Sequence, residues 1–516
     1  MEILVYIFEY LSIVIGVLVT IRIINDSLHL YQQAHYHLLS YKKIFKDFYR
    51  INKLRNENYL LFLMLPIIFI SDMLYGMILF CLLGVCFLYF KRRKKKIIKL
   101  KFTSRIIRLY ICILIFNAIL GTILLMIFDL KELLSSIIIL ILMENFIVYI
   151  SSVVSTVFEK GIYLYYRHKC KKKLSSINCK KIAITGSYGK TSTKAILYNI
   201  LKEEYITFRT QKSYNTLNGI CLSVNDYMDK NTEMAIFEFG ASCKGDIKRL
   251  IELVQPDYGI VTSIGLQHLE TFKSLENIVS EKMLLSSNVE KVVLNIDDEN
   301  IKKEAFKYKN KITVSIDENS DFKAINIVCN RSGLKFLVVS KEETFSITTQ
   351  ILGRHNIYNI LCAIALAKEI GVSSSAIIKG VSTFSGEDNR LKLGEFRGEL
   401  ILNDSYNSNE VGFKNALETL KMFDGYKVLI TPGIVEGGYL EEKINYSLGE
   451  YINLSCDMVI LVKTKASSYI EKSLKDLNYS NIVITNSFDE AFDIYKKIEK
   501  EKMLLIENDI TDIYKI

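Results

Sequence analysis

Residues 182–191, Ile-Ala-Ile-Thr-Gly-Ser-Tyr-Gly-Lys-Thr, carry the side-chain types that grip phosphate. An apolar run, Lys181 to Thr185, ends in a glycine loop that delivers Lys190, Thr191 and Ser192 to a helical pattern over 193–203. Gly186 and Gly189 let the backbone turn tightly enough for N–H groups around Ser187 to face phosphate oxygens. The helix start adds partial positive charge, the Lys190 ammonium neutralises β/γ oxygens, and the Thr191 hydroxyl can ligate Mg²⁺. Two residues separate these glycines, where the general phosphate-loop pattern has four. The strand before and the helix after therefore carry the expectation of nucleotide binding.

Other polar groups lie just past apolar, β-branched runs, where ligands of parallel α/β sheets gather. Glu238 closes the run that starts at Met234, and an acidic residue ending a strand beside a phosphate loop holds Mg²⁺ directly or through water. His268 follows the run 258–264; alone it reads as structural, and its register with Glu238 favours a ligand. Lys282, on a helical pattern over 274–286, reads from its own surroundings as a solvated helix lysine. Arg354-His355-Asn356 through Asn359, and Asn389-Arg390, are polar groups amid apolar pattern. Asp404-Ser405-Tyr406-Asn407 ends another strand candidate.

The elements that must position these groups fall into two kinds. The first 157 residues hold long apolar runs, and the rest alternates apolar and charged blocks. Against the roughly 20 apolar residues a bilayer demands, five spans are expected, at about 3–23, 59–73, 74–90, 106–128 and 135–157. The basic loops 24–58, 91–105 and 159–181 are expected on the cytoplasmic side, with 59–90 as a hairpin and the N-terminus outside, together with the Asp129–Glu132 turn. The first run lacks a basic leader and further spans follow it, which argues against a cleaved signal peptide. A net charge of +10 does not imply nucleic acid, because the cations flank apolar runs, as in Lys91-Arg92-Arg93-Lys94-Lys95-Lys96, with no aromatic-interleaved basic motif. Ten cysteines without a Cys-x-x-Cys pair imply neither a zinc site nor a disulfide framework, and so a reducing compartment for the soluble part.

From Lys180 onward, strand candidates at 181–185, 234–239, 258–264 and 291–296 alternate with helical patterns. After a break near 385–395 come 399–403, 427–431, 457–463, 482–485 and 502–506. Both halves read as parallel-sheet α/β units.

In order and spacing these clusters resemble the Mur ligase family, and within it a MurF-like, membrane-anchored subgroup of the branch that adds D-alanyl-D-alanine. The resemblance covers about 178–516. Thr185–Thr191 is similar to the family's short phosphate loop, and Ser213-Tyr214-Asn215-Thr216-Leu217-Asn218-Gly219 to its asparagine-rich substrate loop. Glu238-Phe239-Gly240-Ala241 resembles the magnesium glutamate motif, and Ile264–Glu270 the histidine motif that serves a second magnesium. Lys282 falls where the family carries a carbamylated lysine that acts as a metal ligand. Gly353–Asn359 and Asp404–Asn409 are close to MurF-type strings, and Asn295-Ile296-Asp297-Asp298 looks like the segment on the adenine side. The implied layout is a multi-span membrane region over 1–160, a phosphate-loop parallel-sheet ATPase domain over 178–387, and a Rossmann-like C-terminal ligase domain over 388–516.

The implied activity is an ATP-dependent acid–amino-acid ligase working through an acyl phosphate, with two Mg²⁺ ions. Lys190, His268, Lys282 and Arg390 would be catalytic; Gly186, Ser187, Gly189, Lys190, Thr191, Ser192, Asn295 and Asn359 would bind nucleotide. Thr191, Glu238, His268 and Lys282 would hold metal, and Asn215, Thr216, Asp404, Tyr406 and Asn407 would meet substrate. The partners would be a cell-wall precursor and an amino acid or dipeptide, at a membrane whose cytoplasmic side carries the catalytic domains. Two features depart from the pattern: membrane spans replace the domain that holds the UDP end of the substrate, and Thr431–Glu436 and Glu507–Ile510 are not the usual acceptor-side motifs. A membrane-bound poly-γ-glutamate-type ligase and a catalytically degenerate cell-wall scaffold are the alternatives.

Overall fold

The computed structural model describes residues 2–34, 36, 38, 41, 59–70, 72–93, 100–127, 133–406, 409–435 and 440–508. The chain divides into two units, 1–164 and 165–510.

Four helices, three within the first unit and one that begins there, are long and apolar enough to cross a membrane: Ile3–Gln33, Met73–Lys91, Ser104–Ile127 and Leu133–Ser176. The second expected span, 59–73, is instead a short helix Tyr59–Phe62, a turn and a 3₁₀ helix Leu65–Phe69 with Pro66 in its first turn. Leu60–Phe69 is ten residues long, roughly 15 Å at helical rise, about half of what a bilayer core demands. Five spans, and the outside N-terminus counted from them, therefore give way to four long helices among the described residues. Asp72 separates the short segment from the next helix by accepting bonds from the Leu74 and Tyr75 amides. Ile3, Ile111, Ile115 and Met126 lie exposed, as lipid-facing side chains would be. Polar groups pair inside, as Ser27 Oγ with Asn145 Oδ1 and Asn117 Nδ2 with Glu144 Oε1, the interhelical bonding that apolar surroundings favour.

The second unit is built on two sheets. The first orders nine strands β2-β3-β1-β4-β5-β6-β7-β8-β9. These are β1 Lys180–Thr185, β2 Thr207–Arg209, β3 Met234–Glu238, β4 Tyr258–Val261, β5 Lys291–Asn295, β6 Lys311–Ser315, β7 Phe322–Asn330, β8 Gly333–Ser340 and β9 Thr344–Thr349. Pairing is parallel through β6–β7, whereas β7, β8 and β9 form an antiparallel meander, which departs from the all-parallel expectation. Alternate residues of β1 feed opposite layers. Ile182 and Ile184 pack with the helices Lys190–Leu201 and Asn356–Ile370, while Ala183 packs with Leu217–Tyr227 and Asp246–Val254. Because β1 lies between β3 and β4, the connections leave its two sides in opposite directions and open a crevice at its carboxyl end.

The second sheet orders six strands β10-β11-β15-β12-β13-β14. They are β10 Lys392–Phe396, β11 Glu399–Asp404, β12 Tyr426–Thr431, β13 Met458–Val462, β14 Ile482–Thr485 and β15 Lys502–Glu507. Only β10 runs antiparallel. The Asp404–Glu507 register sets two carboxylates at adjacent strand ends.

Candidate functional site

The loop after β1 needs both of its glycines. Gly186 has φ +149° and Gly189 φ +80°, a region that side chains resist, and Gly189 is the N-cap of the helix Lys190–Leu201. A Cβ on Gly186 would lie 2.1 Å from Thr262 Oγ1, and one on Gly189 would lie 2.3 Å from Asn359 Oδ1. Neighbouring loops brace the turn. Ser187 N donates to the Ser263 carbonyl, its Oγ exchanges bonds with the main chain of Gly265, and Thr262 Oγ1 donates to the Tyr188 carbonyl. The Lys190 ammonium folds back onto the loop, 2.7 Å from Gly186 O and 3.0 Å from Ser187 O. Burial lowers its pKa to about 8 against the pull of the Glu238 carboxylate, and Arg390 pushes the same way as burial.

Glu238, at the end of β3, is 1% exposed. Thr191 Oγ1 lies 3.2 and 3.1 Å from its two oxygens, Asn215 Nδ2 lies 3.1 Å from Oε1, and Lys194 Nζ lies 3.0 Å from Oε2. Burial alone would push this carboxyl up; the ammoniums of Lys194 and Lys190 outweigh it and hold the pKa below the usual value. One carboxylate and one hydroxyl beside a phosphate loop suit Mg²⁺, which takes few protein oxygens and completes its shell with water and phosphate. No cluster of three or more His, Cys, Asp or Glu stands among the described residues, so a second ion would need a donor of another kind.

Lys282 is not the solvated lysine its helix pattern suggested. It is 1% exposed, and its ammonium donates to Gly186 O at 2.9 Å, on the same carbonyl as Lys190. Burial, and then the neighbouring Lys190, hold its pKa well below that of an ordinary lysine. His268 stands on the exposed stretch after β4 with φ +53°, its carbonyl accepting the Thr271 and Phe272 amides at the start of the next helix.

The remaining expected residues are used unequally. Thr216 caps the helix Leu217–Tyr227 through the Gly219 amide. Asn295 bonds the Thr262 carbonyl and the Asp297 amide. Asn359 takes the Thr193 hydroxyl and donates to Asn356, which braces the phosphate loop from the helix Asn356–Ile370. Ser192 lies half-buried in the first turn beyond the loop. In the six-stranded half, the Arg390 guanidinium lies 4.4 Å over the Tyr406 ring and bonds the Tyr406 carbonyl, while Asp404 Oδ1 accepts the Leu391 amide. Burial raises the Asp404 pKa despite Arg390. Asn407, Glu436, Asp509 and Ile510 lie outside the described residues. Lys194 and Thr262 were missed in the sequence. A lysine four positions past Lys190, on the inward face of the same helix, was the available signal.

A glycine loop between strand and helix at a topological switch point, with a carboxylate on the neighbouring strand, defines a phosphate-loop α/β fold. A family-level match to the Mur ligase middle domain covers residues 184–367. The chain is 31% identical over 285 residues to UDP-N-acetylmuramoyl-tripeptide--D-alanyl-D-alanine ligase of Bacillus subtilis, spanning 54% of this chain and 62% of that protein. It is 30% identical to the Borreliella burgdorferi ligase of the same name, over 63% of this chain and 71% of that protein. The structure of MurF from Thermotoga maritima in complex with ADP superposes with a TM-score of 0.60 at 25% identity, over 67% of this chain and 80% of that one. The chain belongs to the Mur ligase family. It spans about three fifths of the length of the Bacillus subtilis relative.

Proposed function

We propose that this chain is a membrane-anchored, MurF-like ligase that uses ATP to join an amino acid or D-alanyl-D-alanine to a cell-wall precursor. The observation that carries the proposal is the convergence of Lys190, Thr191 and Glu238 at the carboxyl ends of β1 and β3. In this reading the carboxylate oxygen of the precursor attacks the γ-phosphorus of ATP and ADP departs, leaving an acyl phosphate. The amine of the second substrate then attacks the acyl carbon, phosphate leaves with the C–O electron pair, and the amine gives up a proton. Thr191 and Glu238 would hold Mg²⁺, which supplies charge neutralisation at the transferring phosphoryl group. Lys190 adds a positive charge there. Arg390, in the linker before β10, would add a cation from the C-terminal side, and Asp404 and Tyr406 would meet the incoming amine.

Lys282 and His268 would serve a second ion if Lys282 is carbamylated; its buried amine with a lowered pKa is the form that reacts with CO₂. The phosphate-loop, glutamate and lysine positions are all filled, which disfavours the degenerate scaffold. The Gly353–Asn359 and Asp404–Asn409 strings disfavour a poly-γ-glutamate enzyme. Incubation with UDP-N-acetylmuramoyl-tripeptide labelled with ¹⁸O in its terminal carboxyl, together with ATP and D-alanyl-D-alanine, tests the reaction course. One label per turnover is expected in the released phosphate, and unlabelled phosphate would exclude the acyl phosphate.

A further inference from the structure

The Glu238 carboxylate and the loop Ser213–Gly219 belong to different segments, and one buried side chain touches both. Lys194 stands one turn beyond Lys190 on the helix Lys190–Leu201, and its side chain is 2% exposed. Its Nζ lies 3.0 Å from Glu238 Oε2, and the same ammonium donates to the main-chain carbonyl of Lys212. Lys212 has φ +47°, an uncommon conformation for a non-glycine residue, in the turn that opens the loop. The loop returns to the carboxylate through Asn215, whose amide bonds Oε1 at 3.1 Å and whose carbonyl accepts the Gly240 amide at 2.8 Å. A lysine is almost never fully buried unless paired, and its three N–H donors need acceptors once water is excluded. This one divides its donors between a metal-type carboxylate and a left-handed turn, closing a ring from Lys194 through Glu238, Asn215 and the loop to Lys212.

We propose that Lys194 is a positioning residue that makes the Ser213–Gly219 loop respond to metal–nucleotide occupancy at Glu238. The inference rests on the reading of Glu238 as the Mg²⁺ carboxylate. A metal ion held by Glu238 would compete with the Asn215 amide for the carboxylate, while the Lys194 ammonium would keep its bond to Oε2. The carboxylate then pivots about the ammonium instead of separating from it, and the shift reaches the loop at both of its anchors. Binding at one site changes the loop only because Lys194 and Asn215 differ between the two states, which is what coupling demands.

Hydrogen exchange of the full-length protein in detergent micelles, with and without Mg·ADP, reads this directly. In the wild type, nucleotide should slow exchange of the amides in 212–219 at least fivefold. Lys194→Met should still bind Mg·ADP, because Lys190, Thr191 and both loop glycines remain, and should lose the loop response. Lys194→Gln serves if the Met variant does not fold, with a thermal melt as the check on both. A loop that still responds in the variant overturns the inference, as does a wild-type loop indifferent to bound Mg·ADP. Loss of nucleotide binding in both folded variants overturns it too, since Lys194 would then serve the phosphate site itself. A wild type that does not bind Mg·ADP contradicts the ligase reading instead.

Discussion

Lys190 titrates near 8 in the fold, against 10.5 for an ordinary lysine, because burial disfavours its charge. The sign of the stability effect follows. Between those values the unfolded chain binds more protons than the folded one, so stability rises with pH across that window, and the full penalty is present below about 8. Replacing the charge while keeping the stem, as in Lys190→Met, should therefore stabilise the nucleotide-free protein by about 1–2 kcal/mol at pH 7, after allowance for partial exposure. The gain should fade toward pH 10 in thermal melts, and the same variant should lose ATP turnover. Unchanged melting at pH 7 with normal phosphate release would remove Lys190 from the site. Lys282 separates two roles by chemistry. If its amine is carbamylated, Lys282→Ala should cripple turnover, and short carboxylic acids should restore part of it by supplying the missing oxygen ligand. Full activity without such rescue would make Lys282 a structural support of Gly186.

At the scale of elements, the phosphate loop tolerates little change. Gly189→Ala places a Cβ 2.3 Å from Asn359 Oδ1 at φ +80°, and both the loop and the helix behind it must yield. A loss of about 1–3 kcal/mol in stability is expected, with nucleotide affinity falling at least tenfold, measured by melting and by titration with Mg·ADP. This loop was legible in the sequence because strand, glycines, lysine and helix are contiguous. Strand ends were legible for the same reason, which is how Glu238 and Asp404 were found. Lys194 was not, because its meaning comes from Glu238, 44 residues on in sequence, and from the Lys212 carbonyl. Asn359 was expected at the nucleotide, and its amide oxygen accepts the Thr193 hydroxyl, 166 positions away. Lys282 looked solvated because helical spacing cannot report that a loop from β1 covers it. The antiparallel meander of β7, β8 and β9 departs from the all-parallel expectation, although its alternation and the turn Asn330-Arg331-Ser332-Gly333 are present in the sequence. The short segment 59–73 was overcounted as a span because hydropathy does not register where Pro66 forces a turn.

For the whole molecule, the ligase reading requires that residues 160–516 face the compartment that holds ATP. The helices Ser104–Ile127 and Leu133–Ser176 form a pair whose sides can be read from charge, whatever precedes them. By charge, the basic stretches 91–105 and 159–181 are expected on one side of a membrane, and Lys131, outside the described residues, on the other. With the native cysteines replaced, a cysteine at position 131 should be labelled from outside intact cells, and one at Lys101 should not. The reverse would put the catalytic half where there is no ATP. The central claim, that the site on β1 and β3 drives amide formation, is tested most directly by phosphate release from the full-length protein in detergent, supplied with ATP, Mg²⁺, UDP-N-acetylmuramoyl-tripeptide and D-alanyl-D-alanine. Release should require both acid and amine and should match the new amide mole for mole. ATP hydrolysis indifferent to both substrates, or none at all from a folded protein across muramoyl-peptides, glutamate and D-alanyl-D-alanine, would contradict it.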